Sequence, residues 1–118
     1  MFLEQLGSIS SRIDGAIALS LVDRDGIPVE SVSASADLDL EAVAAELVSQ
    51  VRAISVQQQE LSVGAVEQFT VVAERMTFIV SAVGDAYYLL LALAPSGSVG
   101  RARFELRRAT LTLEDELS

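Results

Sequence analysis

Apolar residues recur along the chain with two different periods, one helical and one extended. Near the N-terminus they recur every three or four residues, which predicts a short amphipathic helix; these residues are Phe2, Leu6, Ile9 and Ile13. Gly15 is expected to end this helix. Residues 16–22 then form an apolar run of strand length, and the Asp-Arg-Asp-Gly sequence at 23–26 is typical of a β-hairpin turn.

A second strand and a long helix are predicted next. Residues 27–32 alternate in part, and Pro28 cannot donate a ladder hydrogen bond, so this strand lies at a sheet edge or begins beyond the proline. Asp37 or Asp39 is expected to open the helix, with Asp37 placed as its N-cap. The helix is expected to run to about Gln59, and its apolar stripe consists of Leu40, Val43, Leu47, Val51 and Ile54.

The second half of the chain predicts three strands and a last helix. The strands are expected over residues 62–74, 76–83 and 87–93. The last of them is apolar throughout, which is typical of a central strand covered on both faces. Residues 95–98 interrupt the pattern, and a helix follows from Val99. Its apolar stripe consists of Val99, Ala102, Leu106, Ala109 and Leu113.

The predicted order of elements is therefore α-β-β-α-β-β-β-α. Hairpin signals favour an antiparallel sheet, and a strand that is apolar on both faces requires helices on both sides. We therefore expect an α/β fold of the α+β kind, built as an α/β/α sandwich. The 118 residues suit one domain, 1–118. Three acidic residues near the end oppose the helix dipole, so residues 113–118 are expected to fray.

Composition excludes the common routes of side-chain catalysis. The chain has 17 acidic and 8 basic residues, a net charge of −9, and no Cys or His; all eight basic residues are Arg. A Ser-His-Asp triad, a thiol nucleophile, a Schiff-base lysine and a His- or Cys-ligated metal are thereby excluded. The acidic balance argues against nucleic-acid binding. We expect a cytoplasmic protein with no catalytic residues, cofactor or metal, and no segment inserted in a membrane.

The side of the long helix opposite its apolar stripe is unusual, because it carries small and apolar residues. On a solvent-exposed helix, long charged residues normally occupy such positions. One interpretation is a contact surface for another helix or a partner protein. The other is that alanine was selected there for helix propensity. We favour the contact surface, because Val56 lies on that side and polar residues flank it.

The predicted strand 62–74 has the β-branched character of a strand that pairs well. If it lies at a sheet edge, Glu67 and Gln68 either protect that edge or line a dimer interface. The residues alone leave a monomer and a dimer equally open.

Four arginines, at 101, 103, 107 and 108, form a basic cluster at the start of the last helix. They either bind an acidic partner or phosphate, or form a solvated helix face. We favour the solvated face, with some pairing to Glu105. Asp23 and Asp25 are explained by the hairpin turn, since two carboxylates fall far short of a calcium-ligand set.

Two segments resemble the Roadblock (dynein light chain) family. The first is the strand, Asp-Arg-Asp-Gly hairpin, Pro-containing second strand and long helix. The second is the Arg-rich start of the last helix, Gly100-Arg101-Ala102-Arg103-Phe104-Glu105-Leu106-Arg107-Arg108-Ala109, which is similar to that of bacterial MglB-like members. The resemblance covers residues 5 to 112 and rests on element order rather than on a catalytic motif.

The resemblance implies a profilin-like, five-stranded antiparallel sheet with the long helix on one face and the two terminal helices on the other. It also implies a homodimer in which the third strands pair and the long helices lie side by side. Such dimers are platforms for a small Ras-like (MglA-type) GTPase. The expected partner-binding residues are Ala42, Ala45, Glu46, Ser49, Arg52, Ala53 and Val56. The expected dimer-interface residues are Val66, Gln68, Thr70, Val71 and Val72.

The resulting hypothesis is a non-catalytic homodimer that regulates a GTPase, as an activator or as an effector-like scaffold. Two alternatives remain open at this point. One is a small-molecule-sensing module, although few aromatic residues are present to form a pocket. The other is a scaffold subunit that binds a related chain and has no GTPase partner.

Overall fold

The computed structural model describes residues 2–117, apart from the side chains of Gln58 and Gln59, and has the predicted order of elements. The helices are α1 (Leu3–Ser11), α2 (Leu40–Leu61) and α3 (Val99–Leu117). The strands are β1 (Ala16–Asp23), β2 (Pro28–Ser33), β3 (Gln68–Val72), β4 (Thr77–Val83) and β5 (Tyr87–Leu93). Met1 and Ser118, the ends of the predicted domain, lie outside the described residues. The helix α3 includes residues 113–117, and their fraying stays a prediction.

The five strands form one antiparallel sheet in the order β2-β1-β5-β4-β3. The apolar strand β5 is central, as predicted, with Leu91 paired to Leu19 on one side and to Ile79 on the other. Residues 89–93 are fully buried, because helices cover both faces of this strand. The strands β2 and β3 are the edges, which confirms the expectation for the Pro-containing strand.

Two cores lie on opposite sides of the sheet. On the face covered by α1 and α3, Leu6 and Leu106 pack with Leu19, Leu89 and Ile79. There α1 lies over β1 and β2, and α3 lies over β4. The other face is covered by α2 alone, and its smaller core consists of Val22, Ala44, Val48, Val51, Val80 and Leu90. The predicted α/β/α sandwich is confirmed.

The buried residues of α2 lie on a line that is rotated about the helix axis from the predicted stripe. Of its five residues only Val51 is buried; the other four are half-buried. The buried line instead joins Ala44, Val48 and Val51. The prediction assigned the buried stripe to the large apolar residues. The small Ala44 faces the sheet instead, because the helix backbone comes close to the β1–β2 turn at this point.

Two predicted boundaries also change. The strand β3 covers Gln68–Val72, whereas residues 62–74 were expected, because α2 continues to Leu61 and residues 62–67 complete the chain reversal. Ser62 adopts a left-handed backbone with φ 55° in this reversal. The N-cap of α2 is Asp39 and not Asp37, since the Asp39 carboxylate accepts a hydrogen bond of 3.2 Å from the Ala42 N–H.

Candidate partner-binding surface

The turn between β1 and β2 sets the position of α2. The Asp23 carboxylate accepts hydrogen bonds from the N–H groups of Asp25 (2.9 Å) and Ile27 (3.1 Å), which closes the turn. Gly26 follows with φ 83°, and a Cβ at this position would lie 3.1 Å from the Cα of Ala45. Glycine is therefore required both by the left-handed backbone and by the close approach of α2. The aspartates serve the turn, as the sequence indicated.

All seven expected partner-binding residues lie on the exposed side of α2. They occupy one continuous surface from Ala42 to Val56, about 21 Å long at 1.5 Å per residue. Four of the seven are Ala or Ser, so the helix backbone is accessible to a close neighbour. Val56 is 67% exposed, and Glu46 and Arg52 supply the charges of the surface. The structure thus brings together the residues that the sequence placed on one side; we call them the outer α2 surface.

A half-buried apolar strip adjoins the core beneath α2, and its helical part was expected in the interior. Val43 and Leu47 of α2 pack against the core but remain partly exposed. Phe69 of β3 and Phe78 of β4 do the same from the sheet. The two phenylalanines share one face of the sheet, because each faces α2 in the β3–β4 register. The sequence analysis did not predict this strip, although the alternating positions of the two phenylalanines along β3 and β4 indicate it.

The edge strand β3 carries four of the five expected dimer-interface residues. It pairs with β4 only, so within the described chain its other side presents unpaired backbone N–H and C=O groups. Thr70 and Val71 are half-buried and Val72 is exposed. Val66 is the exception among the five. It precedes β3 and packs against the core beneath α2, so it takes no part in the strand.

Gln68 is the remaining expected dimer-interface residue in β3, and its side chain is hydrogen-bonded to α3 of the same chain. Its side-chain N–H donates to Ser81 Oγ over 2.9 Å, and its carbonyl oxygen accepts from Arg103 Nε over 2.7 Å. These bonds hold the start of β3 against the helix on the opposite face from α2. Gln68 therefore fixes the edge in place, and its backbone rather than its side chain is available for pairing.

Two arginines of the cluster, Arg101 and Arg108, surround a buried carboxylate together with Arg12. Glu105 is 1% exposed, and its oxygens lie 3.5 Å from Arg12 Nε, 3.7 Å from an Arg101 nitrogen and 3.5 Å from an Arg108 nitrogen. Arg101, Arg107 and Arg108 keep more than half of their side-chain surface exposed. The predicted pairing with Glu105 is confirmed. Three guanidinium groups compensate the charge of this buried carboxylate. Without them the carboxylate would be buried unpaired, which is strongly destabilising.

We searched the described part of the chain for metal sites, ligand pockets and membrane-spanning helices. No group of three or more Asp or Glu side chains within residues 2–117 is arranged to hold a metal ion. An open hollow of about 560 Å³ lies beside the end of α2, lined in part by Ser55, Asp85, Tyr87 and Tyr88. Both tyrosines are half-buried, on opposite faces of β5. No described helix is long and apolar enough to cross a membrane.

Comparison with known proteins places this geometry in a structural class. No protein-family model and no curated protein matches the chain. Among solved structures, MglC from Myxococcus xanthus is 31% identical, with a TM-score of 0.71 over 98% of both chains. The gliding protein MglB from Thermus thermophilus is 21% identical, with a TM-score of 0.87 over 96% of this chain and 85% of that one. A Roadblock/LC7 domain from Streptomyces avermitilis is 16% identical, with a TM-score of 0.85 over 98% and 97%.

The fold agreement extends over nearly the whole chain in all three comparisons. The two more distant structures share the fold, and the relative at 31% identity adds a sequence relationship of full length. Element order, the five-stranded antiparallel sheet and the helices on its two faces agree with what the resemblance implied. This chain belongs to the Roadblock (dynein light chain) domain family.

Proposed function

We propose that this protein is a homodimeric regulator or platform for a small Ras-like GTPase and that it supplies no catalytic residue. The observation that carries the proposal is the outer α2 surface, a side of an exposed helix on which small side chains predominate, in a chain whose edge strand β3 is open within the described residues. Such a surface is poorly explained by folding alone, because none of its residues packs into either core.

Self-association would use the β3 edge. Antiparallel pairing of two β3 strands extends the sheet across both protomers and satisfies the open backbone groups. The same arrangement brings the two α2 helices side by side. It would also cover the half-buried Val43, Leu47, Phe69 and Phe78, which the single chain leaves in partial contact with water. Burial of apolar area and backbone pairing both favour this dimer.

The GTPase would dock on the paired outer α2 surfaces. Small side chains admit a closely packed partner, and Glu46 and Arg52 would set its orientation by charge. The nucleotide and its magnesium ion would be held by the GTPase, since this chain has no Lys for a phosphate loop. The action is therefore conformational: binding favours one arrangement of the switch loops, which either accelerates hydrolysis or recruits the GTP form.

The test is nucleotide-dependent capture by the immobilised protein from native lysate, followed by mass spectrometry. A Ras-like GTPase retained with a non-hydrolysable GTP analogue, and not with GDP, is the expected result. Ala53→Arg should abolish retention, because Ala53 lies opposite the buried line of α2 and a long charged side chain would separate the surfaces. Ser8→Arg is the control, since it adds the same charge on α1, across the sheet.

Two results would count against the proposal. Retention unchanged by Ala53→Arg would show that the outer α2 surface is not the docking site. Absence of any GTPase in both nucleotide states would reject the GTPase partner, and the proteins captured instead would identify a scaffold role.

A further inference from the structure

The outward side of α3 carries exposed apolar residues on the opposite face of the sheet from α2. Phe104 is 55% exposed and Leu111 is 67% exposed. They are separated by two helical turns and point away from the buried residues Leu106 and Leu113. The Arg108 guanidinium lies over the Phe104 ring, 5.9 Å from its centroid. Neither the β3 edge nor the outer α2 surface involves this side of the molecule.

The charges along α3 are divided by sign in an order that the helix itself disfavours. The first half contains four arginines between 101 and 108, and the last turn contains three acidic residues, 114–116. Basic groups near an N-terminus and acidic groups near a C-terminus both oppose the helix dipole. Local helix stability therefore does not account for this order, and contacts within the chain account for part of it, since Arg101 and Arg108 face Glu105 and Glu114 accepts a hydrogen bond from the Gly84 N–H. A second α3 lying antiparallel would place each basic half against an acidic half.

The outward residues also have the spacing of a helix-pairing seam. Counted from the first, they lie at intervals of three and four residues, as positions a and d of a heptad do. The seam consists of Arg101, Phe104, Arg108, Leu111 and Asp115. Its ends are of opposite charge, and Phe104, Arg108 and Leu111 lie between them. The stripe is thus complementary to its own antiparallel copy.

We propose that the outward side of α3 binds α3 of a second copy of this chain in antiparallel orientation, with the twofold axis at Arg108. Phe104 then packs against Leu111 of the second copy, and Arg101 faces Asp115 of the second copy. Asp115 also interacts within its own chain, and the contact requires its charge rather than a vacant carboxylate. Oppositely charged groups at the two ends flank the Phe104–Leu111 contacts, one on each side of the Arg108 pair at the axis, which fixes both orientation and register.

At the axis each Arg108 meets its own copy, and the chain compensates this like-charge contact. One nitrogen of Arg108 lies 3.5 Å from a carboxylate oxygen of Glu105. The central carbon of the guanidinium also lies over the Phe104 ring. Each Arg108 therefore reaches the axis already paired with an anion and an aromatic face, which lowers the repulsion between the two.

The contact is small and goes beyond the proposed dimer. Residues 101–115 span about 21 Å of helix, and one such helix pair buries less area than a standard stable interface. Because α3 and α2 lie on opposite faces of the sheet, α3 pairing and β3 pairing are geometrically compatible. The α3 contact would join chains, or β3-paired dimers, at high concentration, and it is independent of whether a GTPase binds.

Single-cysteine cross-linking tests the proposal, since the chain has no native thiol. Arg108→Cys places two thiols at the axis, where facing helices bring Cα atoms within disulfide reach. Oxidation should give a reducible species of twice the 12.5 kDa chain mass. Arg107→Cys is the control, because it is also exposed but is rotated about 100° from residue 108 around the helix. Equal cross-linking of the two variants would overturn the proposal, as would none from Arg108→Cys.

Two further variants test orientation and chemistry. In the antiparallel arrangement the two copies of residue 104 are offset by about 12 Å, so Phe104→Cys should not cross-link to itself. Efficient cross-linking of Phe104→Cys would indicate parallel helices and would reject the proposed antiparallel contact. Adding Leu111→Asp to Arg108→Cys should reduce the yield at least about fivefold, because it places a carboxylate against Phe104 of the second copy. Ile27→Asp is the control, because Ile27 is 60% exposed in the β1–β2 turn, and it should leave the yield unchanged. An unchanged yield with Leu111→Asp would also reject the proposed antiparallel contact.

Discussion

Substitution of Gly26 by alanine tests how α2 is positioned. Gly26 has φ 83°, a conformation that costs an L-residue about 1 kcal/mol. A Cβ would also lie 3.1 Å from Ala45 Cα and 3.4 Å from the Ala44 carbonyl oxygen. Both neighbours belong to the α2 backbone, so relief requires the helix to move, which costs about 1 to 3 kcal/mol more. The total expected loss is about 2 to 4 kcal/mol.

Gly84 offers a matched control for the backbone contribution. It also has a positive φ, 61°, but a Cβ there would meet no atom within 4 Å. Gly84→Ala should therefore cost only about 1 kcal/mol. For 118 residues the unfolding entropy is about 0.25 kcal/mol/K, so each kcal/mol lowers Tm by about 4 °C. We expect a loss of about 4 °C for Gly84→Ala and about 8 to 16 °C for Gly26→Ala.

Thermal unfolding followed by circular dichroism at one fixed protein concentration measures both shifts. A fixed concentration is required because self-association would otherwise change Tm. Equal shifts for the two variants would show that α2 does not press on the turn at Gly26. A shift for Gly26→Ala alone would show instead that the left-handed backbone carries no cost in these turns.

Two further predictions concern α3. Gly100→Ala should raise the free energy of unfolding by about 0.5 to 1 kcal/mol in urea denaturation, because Gly100 is helical and an added Cβ would meet no atom within 4 Å. Replacing any one of the three arginines around Glu105 by alanine should cost under about 1 kcal/mol, since two remain and each is 44% or more exposed. Replacing all three should cost about 3 to 5 kcal/mol, because the buried carboxylate is then unpaired; additive losses in the same urea assay would contradict this.

The order and type of the elements could be predicted from the sequence, because periodicity reports which residues a strand or helix must bury. The apolar run from Tyr87 to Leu93 required cover on both faces, and that requirement alone indicated a sandwich with β5 at its centre. The Asp-Gly turn and Pro28 located a hairpin and an edge. These signals are local, so a single sequence contains them.

The rotation of α2 and the position of Glu105 could not be predicted in the same way. Leu40 and Ile54 are bulkier than Ala44, yet Ala44 faces the sheet because the turn at Gly26 approaches there. Which residue meets that turn depends on contacts between segments far apart in sequence. Burial of Glu105 likewise depends on Arg12 from the segment after α1, across the helix pair. The exposed side of α2 was still identified correctly, because small residues opposite any buried line remain exposed after a modest rotation.

In the proposed dimer the β3 edge and the α2 face form the interface, and the dimer presents the outer α2 surface. Sedimentation equilibrium at low micromolar concentration tests for this dimer, with Thr70→Asp as the disrupting variant. Thr70 is the middle residue of β3, so two like charges would oppose each other in a centred antiparallel pair. Ser33→Asp, on the other edge strand β2, is the control. We expect twice the 12.5 kDa chain mass for the unmodified protein and the control, and a single chain mass for Thr70→Asp. A single chain mass for the unmodified protein, or a dimer that tolerates Thr70→Asp, would contradict the proposed dimer.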